Sequence, residues 1–269
     1  MKAAIITSTH KPSQQVKKRI QAACQSQGLT IDDQSPDMVI SVGGDGTLLQ
    51  AFHRYEDQLD HIRFVGIHTG HLGFYTDWIV EELDDFLLAL REEQTNEAFD
   101  SISYPLLEVN VKLKDGSKQH HIALNEAALR RYEGTMTTEV YIKDRLFELF
   151  KGDGLCISTP TGSTGLNKSL GGAVIHPRLD AIQLTEIASL NNRVYRTLSS
   201  SMLIPADEYI RLYPQTDEMS GVMLAVDQET YPGEEIVEIQ FQVAKERVHF
   251  ARYRHTHFWN RVKNSFIGG

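Results

Sequence analysis

Residues 38–47 read MVISVGGDGT, and this stretch decides the fold. Its first half, Met38–Val42, is continuously apolar, which predicts a strand buried on both faces. Gly43–Thr47 interrupts the run, and the apolar residues of 48–52 then take up helical spacing. The stretch therefore predicts a strand, a glycine-rich loop at its carboxyl end, and a helix.

The segments on either side repeat this alternation of strand and helix. Ala3–Thr7 predicts a strand and residues 12–27 a helix that ends before a glycine. Phe64–Ile67 predicts another strand, followed by a second glycine-rich loop at 68–74, and Ile79–Leu90 predicts an amphipathic helix. Buried strands alternating with helices indicate a parallel sheet, whose ligands bind at the carboxyl ends of the strands. Both glycine-rich loops follow such ends.

The pattern changes near residue 100, where short alternating runs predict antiparallel strands, with one helix around Asp180–Ala188. The predicted strands include Leu106–Leu113, His121–Leu124, Glu139–Ile142, Gly221–Val226 and Val237–Val243. The predicted fold class is an α/β N-terminal domain with a parallel sheet plus a β-rich C-terminal domain. We expect the α/β domain at 1–99, the β-rich domain at 100–240, and a C-terminal segment, 241–269, that packs back on the first domain.

Composition excludes several classes of protein. The 269 residues are 41% hydrophobic and carry a formal charge of −9, which opposes binding to nucleic acid or an anionic membrane. No run approaches the roughly 18 apolar residues of a membrane span, and the apolar opening is too short for a signal peptide, which predicts a cytoplasmic protein.

Three features that suggest special chemistry have simpler interpretations. Cys24 and Cys156 lie far apart, which predicts two small buried residues rather than a disulfide or a zinc cluster. His68 and His71 lack a third ligand, so no metal site is predicted there. The stretch 245–263 mixes arginines with aromatic residues, but the negative net charge favours packing over nucleic-acid contact.

Asp45 is the strongest candidate for a catalytic residue. The glycines around it let a ligand approach the backbone, and the following helix start offers free N–H groups to an anion. The loop matches neither a P-loop nor a Gly-x-Gly-x-x-Gly fingerprint, because Leu49 occupies the position of the last glycine. A carboxylate beside a polyphosphate suits a group that accepts a proton from an attacking hydroxyl. The alternative is an aspartate that only caps the helix.

Two further constellations carry polar groups. Asn125-Glu126 follows an apolar run and suits ribose hydroxyls or a purine edge, although a turn or a cap is the simpler interpretation. Residues 151–165, KGDGLCISTPTGSTG, place hydroxyls and glycines along one surface, which suits a nucleotide unless the stretch is a solvated hairpin.

Taken together, these motifs resemble the bacterial NAD kinase family over nearly the whole chain. The resemblance is carried, in this order, by Gly43–Thr47, His68–Phe74, Asn125-Glu126 and Thr159–Thr164. The first motif alone is shared with diacylglycerol kinase, sphingosine kinase and phosphofructokinase relatives, and the other three separate NAD kinase from them.

The resemblance implies transfer of a phosphoryl group from ATP, assisted by Mg²⁺ or another divalent cation, to the adenosine ribose 2′-hydroxyl of NAD, which gives NADP. Asp45 is implied as the general base or the residue that orients the hydroxyl, with no protein metal ligand assigned. The implied substrate-binding and nucleotide-binding positions are Gly44, Gly46, Phe74, Tyr75, Asn125, Glu126, Lys151, Asp153, Thr161, Thr164, Gly165, Leu166, Ser169 and Ala188. It also implies a homotetramer or dimer with shared sites, and polyphosphate is an alternative donor to ATP.

This sequence departs from the family pattern at two places. Gly165-Leu166 stands where relatives commonly carry Ala-Tyr, so an aromatic platform worth on the order of 1 kcal/mol is missing. Val226-Asp227-Gln228 resembles the corresponding motif of relatives only loosely.

Two other functions stay open on the sequence alone. A lipid kinase of the same superfamily would use the Asp45 loop but should show a basic or amphipathic membrane surface. A non-catalytic dinucleotide-binding regulator would keep the 125–126 and 161–169 surfaces without needing Asp45.

Overall fold

The computed structural model describes residues 1–70, 73–93, 101–215, 219–251 and 258–268. The chain separates into two units, each with its own hydrophobic core. The first unit contains Met1–Ser103 and Arg247–Gly269, and the second contains Tyr104–Glu246.

The first hundred residues alternate strands and helices, as predicted. Their elements are β1 (Lys2–Thr7), α1 (Lys11–Ser26), β2 (Thr30–Ile31), β3 (Met38–Gly43), α2 (Asp45–Arg54), a 3-10 turn (Glu56–Gln58), β4 (Arg63–His68), β5 (Trp78–Ile79), a second 3-10 turn (Val80–Glu82) and α3 (Leu83–Glu93). The strands pair in parallel in the order β2-β1-β3-β4, with β5 also on β4. The parallel sheet expected from the sequence is confirmed.

The packing of this sheet explains its sequence pattern. Every residue of β3 is buried, because β1 and β4 flank it and its side chains enter the core on both faces. Helix α1 starts with Pro12 in its first turn and buries Val16, Ile20 and Cys24, one residue per turn. The carboxyl end of β3 passes directly into α2, so the glycine-rich loop is held by a fully buried strand.

The second unit is built from antiparallel strands. Its elements, with those that complete the chain, are β6 (Ser101–Leu113), β7 (Lys118–Ala123), β8 (Glu126–Arg131), β9 (Met136–Ile142), β10 (Arg145–Gly152), β11 (Gly154–Ser158), a 3-10 helix (Thr161–Thr164), α4 (Leu166–Ser169), β12 (Ala181–Ile187), β13 (Met202–Pro205), β14 (Tyr209–Pro214), β15 (Val222–Val226), β16 (Glu229–Pro232), β17 (Ile236–Ala251) and α5 (Phe258–Phe266). One sheet runs in the order β13-β12-β11-β8-β15-β16. In a second set, β9 lies between β10 and β14, β14 pairs with β17, and β6 pairs with β7.

The last segments return to the first unit. Strand β17 belongs to the second unit up to Glu246 and continues into the first, where Phe250 pairs in parallel with Phe64 of β4. Helix α5 also belongs to the first unit.

The helix predicted around Asp180–Ala188 is wrong, because the segment forms β12 between β11 and β13. Its polar residues are buried in the sheet and find partners there. The side-chain oxygen of Gln183 accepts the N–H of Ala173 at 2.9 Å, and its side-chain nitrogen donates to the carbonyl of Ala173 at 3.1 Å. The hydroxyl of Thr185 donates to the side-chain oxygen of Asn167 at 2.8 Å. Pairing with distant strands overrides the local spacing from which the helix was predicted.

The two cysteines are free and buried, as predicted. Within the described residues, no helix has the length and apolar character needed to cross a membrane.

Candidate active site

The carboxylate of Asp45 accepts two hydrogen bonds from the backbone of the loop at residues 73–75. Asp45 begins α2, and the preceding Gly44 is the N-cap. One carboxylate oxygen accepts the N–H of Phe74 at 2.9 Å and the other accepts the N–H of Tyr75 at 3.1 Å. The alternative that Asp45 only caps its helix is wrong, because the side chain bonds to this loop instead.

The loop at 73–75 fits closely around that carboxylate. A Cβ atom on Gly73 would overlap the Asp45 carboxylate, so any larger residue there must displace one of the two. The Tyr75 ring is buried and stacks on Phe250, with centroids 5.9 Å apart and planes 6° apart. The structure thus brings Phe74 and Tyr75 to Asp45 and its flanking glycines, all within the first unit.

Polar groups gather at the carboxyl ends of the parallel strands. Ser8, after β1, donates to Ser13 in the first turn of α1 at 2.7 Å, and the Ser13 hydroxyl lies 2.7 Å from that of Thr69, after β4. A Cβ atom on Gly44 would meet nothing within 4 Å, and its φ of −105° suits any residue. Neither packing within the described residues nor backbone geometry requires glycine at 44.

In the second unit, Asp227 organises the Asn125-Glu126 turn. Its carboxylate accepts the backbone N–H groups of Leu124 at 2.8 Å, Asn125 at 2.7 Å and Glu126 at 3.2 Å. Asp227 itself has a φ of 50°, a left-handed conformation that aspartate tolerates better than most residues. The sequence matched this position to the family only loosely, and the structure shows that it fixes three successive peptide groups.

Glu126 is partly buried, and its Oε2 atom is buried with no hydrogen-bond partner among the described residues. Burial raises the pKa of Glu126 to about 8, and the nearby Asp227 charge adds to the effect. At neutral pH the group therefore keeps its proton and is able to donate a hydrogen bond. An unpartnered buried polar atom of this kind requires an explanation, such as a bound water, an ion or a ligand.

The loop after β11 packs against the same turn. Thr159 and Thr161 both donate to the carbonyl of Leu124, at 2.7 and 3.0 Å. A Cβ atom on Gly162 would overlap the backbone of Asn125, so the two segments touch directly. Thr164 and Gly165 follow in the same loop, and a Cβ atom on Gly165 would lie 3.3 Å from Oε2 of Glu126.

Leu166, where the family resemblance implies an aromatic residue, is partly buried. It packs with Leu170 against Ala128, Cys156 and Ile187. Ser169, at the end of α4, is exposed. The Leu166 side chain thus contributes to the core of the sheet rather than standing as a free platform.

Lys151, Asp153 and Ala188 form a separate group at the other end of β11. The N–H of Asp153 donates to Ile187 at 2.9 Å, and the Lys151 ammonium lies 5.0 Å from the Tyr195 ring centroid. Gly154 starts β11 beside this group, whereas Ser158 ends the strand opposite Glu126. Five residues of strand separate the two groups by on the order of 15 Å. The structure does not bring these three residues to Asn125-Glu126.

Sequence reasoning missed Arg261 and Asp77. Both side chains are buried, and Arg261 donates to the Phe74 carbonyl and to Asp77. The available signal was an arginine on the same face of α5 as Phe258, at a position that pattern analysis treats as apolar.

The two histidines flagged in the sequence have no metal cluster around them in the described part of the chain. The Nδ1 atom of His68 lies 3.1 Å from the carbonyl oxygen of Gly70. His71 lies outside the described residues. Among the described residues, no group of three His, Cys, Asp or Glu side chains is placed to hold a metal ion.

A carboxylate at a strand–glycine–helix junction in one unit and a loop rich in hydroxyls and glycines in the other are features expected of a phosphotransferase. Family models agree: residues 2–94 match the ATP-NAD kinase N-terminal domain, and residues 124–253 match the ATP-NAD kinase C-terminal domain.

Individual proteins give the same result. The chain is 55% identical to the NAD kinase of Latilactobacillus sakei and 51% identical to that of Levilactobacillus brevis, in each case over all of this chain and 98% of the other. Its fold is similar to yeast NADH kinase in complex with NADH (TM-score 0.83, 20% identity, all of this chain and 87% of that one) and to the Archaeoglobus fulgidus NAD kinase in complex with ATP (TM-score 0.73, 21% identity, all of this chain and 98% of that one). The chain belongs to the ATP-NAD kinase family, and its activity is that of an NAD kinase.

Proposed function

We propose that Asp45 accepts the proton of the adenosine ribose 2′-hydroxyl of NAD as that oxygen attacks the γ-phosphorus of ATP. A new O–P bond forms, the bond from the γ-phosphorus to ADP breaks, and the products are NADP and ADP. Each carboxylate oxygen of Asp45 accepts one backbone N–H and has a second acceptor site left for the hydroxyl. Proton removal by a positioned base is worth roughly 10²- to 10⁴-fold in rate.

The observation that carries this proposal is the way Asp45 is held. Its two amide bonds fix the carboxylate beside the start of α2, where helix N–H groups attract phosphate. Phosphoryl transfer depends mainly on alignment and charge neutralisation, so a rigid acceptor beside an anion site is the arrangement that the reaction needs.

We assign the donor to the carboxyl edge of the parallel sheet. A Cβ atom on Gly44 would meet nothing within 4 Å, which leaves room for a phosphate oxygen, and we assign Gly46 to the same role. The partly exposed hydroxyls of Ser8 and Thr69 offer further hydrogen bonds. We propose that the divalent cation enters as part of MgATP, since Mg²⁺ usually stays on substrate phosphates with few protein ligands. Inorganic polyphosphate has the same phosphate chemistry and is an alternative donor.

We assign NAD to the pocket around Glu126. The protonated Glu126 carboxyl donates to an acceptor on the adenosine, and Asn125 beside it supplies an amide. The remaining residues that we assign to NAD binding are Phe74, Tyr75, Lys151, Asp153, Thr161, Thr164, Gly165, Leu166, Ser169 and Ala188.

We further propose a homotetramer, or at least a dimer, in which Lys151, Asp153 and Ala188 complete the site of another subunit. The separation along β11 supports this, because one chain does not gather both groups. Exposed apolar side chains on the same unit support it too. Leu146 and Phe147 of β10 are 54% and 44% exposed, and Val194 is 79% exposed. Sedimentation equilibrium of the protein and of Phe147→Asp tests the assembly, and a monomeric, fully active wild type would contradict it.

We place the enzyme in the cytoplasm, where ATP and NAD are available and where its two free cysteines stay reduced. Fractionation of cells that express the protein tests this assignment.

The function itself is tested by incubating the protein with NAD, MgATP or Mg-polyphosphate and measuring NADP with an NADP-specific dehydrogenase. We expect NADP only when both a donor and NAD are present. Phosphorylation of diacylglycerol without NADP would support a lipid kinase, and NAD binding without turnover would support a regulator.

A further inference from the structure

Arg261 of α5 lies in an unusual place for an arginine. Its side chain is 7% exposed, and the Asp77 side chain that pairs with it is 6% exposed. The guanidinium also donates to the backbone carbonyl of Phe74. Burial lowers the pKa of Arg261, and the charge of Asp45 opposes that effect.

A single peptide group connects this arginine to the carboxylate of Asp45. The peptide between Phe74 and Tyr75 accepts the Arg261 guanidinium at its carbonyl and donates its N–H to Asp45 at 3.1 Å. We propose that Arg261 is a positioning residue for phosphoryl transfer, holding Asp45 in place through the Phe74–Tyr75 peptide. The proposal rests on the role of Asp45 given above.

Two physical effects make the connection strong. A charged donor on a carbonyl polarises the peptide, so the N–H at its other end becomes a better donor to Asp45. The planar guanidinium also fixes two partners at once, the carbonyl of Phe74 and the carboxylate of Asp77, which sets the orientation of the loop.

The geometry separates this role from simple helix docking. An ion pair with Asp77 together with the stacking of Phe266 on Phe74, with centroids 5.6 Å apart, already attaches α5 to the loop. The additional hydrogen bond from Arg261 to the Phe74 carbonyl acts on the peptide group whose N–H, that of Tyr75, donates to Asp45. Docking alone does not require a donor at that carbonyl.

The test compares Arg261→Met, Arg261→Lys and Asp77→Asn with the wild type in the full-length enzyme. Lys263→Met is the matched control, since it removes an exposed positive charge from the same helix. We expect Arg261→Met to lower kcat tenfold or more while KM for NAD and for MgATP stays within about threefold. Arg261→Lys should recover part of the loss, because an ammonium still donates to the carbonyl but lacks the second branch of the fork. Asp77→Asn should lower kcat about threefold, and Lys263→Met should match the wild type.

Circular dichroism and thermal melting show which variants fold, and the kcat and KM values of the folded variants test the proposal. A folded Arg261→Met with kcat within twofold of the wild type overturns the proposal, as does a rise in KM with kcat unchanged. If Arg261→Met does not fold, the kcat values of Arg261→Lys and Asp77→Asn decide, and wild-type kcat in both assigns Arg261 a purely structural role.

Asp45→Asn is assayed in the same experiment. A wild type that makes no NADP, or an active Asp45→Asn, defeats the proposed function and with it the role of Arg261, whereas a silent Arg261→Met beside an inactive Asp45→Asn defeats this inference alone.

Discussion

Asp45 and Glu126 are both carboxyl groups next to the end of a strand, yet their surroundings differ. Both oxygens of Asp45 accept backbone N–H groups from its own unit. Glu126 has a buried oxygen without a partner among the described residues and a pKa raised to about 8. The hydrogen bonds of one carboxyl group are made within the chain, and we propose that the other completes its hydrogen bonds with a ligand.

This difference separates two requirements of a kinase site. A group that takes up a proton during reaction must be held still as an anion, which backbone amides achieve. A group that recognises a substrate gains affinity when its hydrogen bond is made only in the complex, because the free protein then bears the cost of a buried unpaired atom. Four variants test whether the two carboxyl groups divide the work in this way.

Asp45→Asn should have the largest effect. The amide keeps the shape of the carboxylate but cannot take up the proton, and we expect kcat to fall by at least about 10²-fold with folding intact. Formation of NADP and circular dichroism measure the two properties. An Asn variant with near-normal kcat would remove Asp45 from the chemistry.

Asp227→Asn should destabilise the turn that contains Glu126. Its new amide nitrogen cannot accept a backbone N–H, so at least one of the three bonds to residues 124–126 is lost. We expect the free energy of unfolding to fall by roughly 1–3 kcal/mol. Loss of the negative charge should also lower the pKa of Glu126. Urea denaturation measures the first effect, and an unchanged midpoint would contradict it.

Gly73→Ala should disturb the position of the Asp45 carboxylate without removing any polar group. The added methyl overlaps the Asp45 carboxylate and must displace it, and we expect kcat to fall by about tenfold, or about 1.4 kcal/mol. Gly70→Ala is the control in the same loop, since its Cβ meets nothing within 4 Å. Equal kcat values for the two alanine variants would show that the position of Asp45 is not critical.

Glu126→Gln should be visible as a change in the pH dependence of stability. Between the unfolded pKa of 4.5 and the folded pKa of about 8, the unfolded chain loses the Glu126 proton and the folded chain keeps it. The free energy of unfolding should therefore fall with rising pH by at most about 1.4 kcal/mol per unit, and level off above pH 8. Gln does not titrate, so its variant should lack this decline. Parallel curves for the two proteins between pH 5 and 8 would contradict the raised pKa.

The parts of the fold that follow from local pattern were predicted from the sequence. The buried run Met38–Val42 and the loop after it gave a strand, a glycine turn and a helix, because continuous apolar residues and glycine clusters have few alternatives. Residues 181–187 were assigned wrongly, since what makes them a strand is pairing with β11 and β13, far from them along the chain.

The candidate site divides in the same way. Asp45 and Asn125-Glu126 stand out in the sequence because polar residues end apolar runs. Arg261 does not, because its partners Phe74 and Asp77 lie more than 180 residues away and one of them is a backbone atom. The complementary charge, Asp77, is too remote in the sequence to be matched to Arg261 by local pattern, and the carbonyl of Phe74 leaves no sequence signal.

The length of β11 has a consequence for genetics. Because the strand keeps Asp153 and Glu126 apart within one chain, an assembly that pairs them across subunits permits complementation. Mixing two inactive proteins, one altered only at Asp153 and the other only at Glu126, would restore intact catalytic centres in a fraction of the hybrid particles. Two defective alleles would then rescue each other in a cell that carries both.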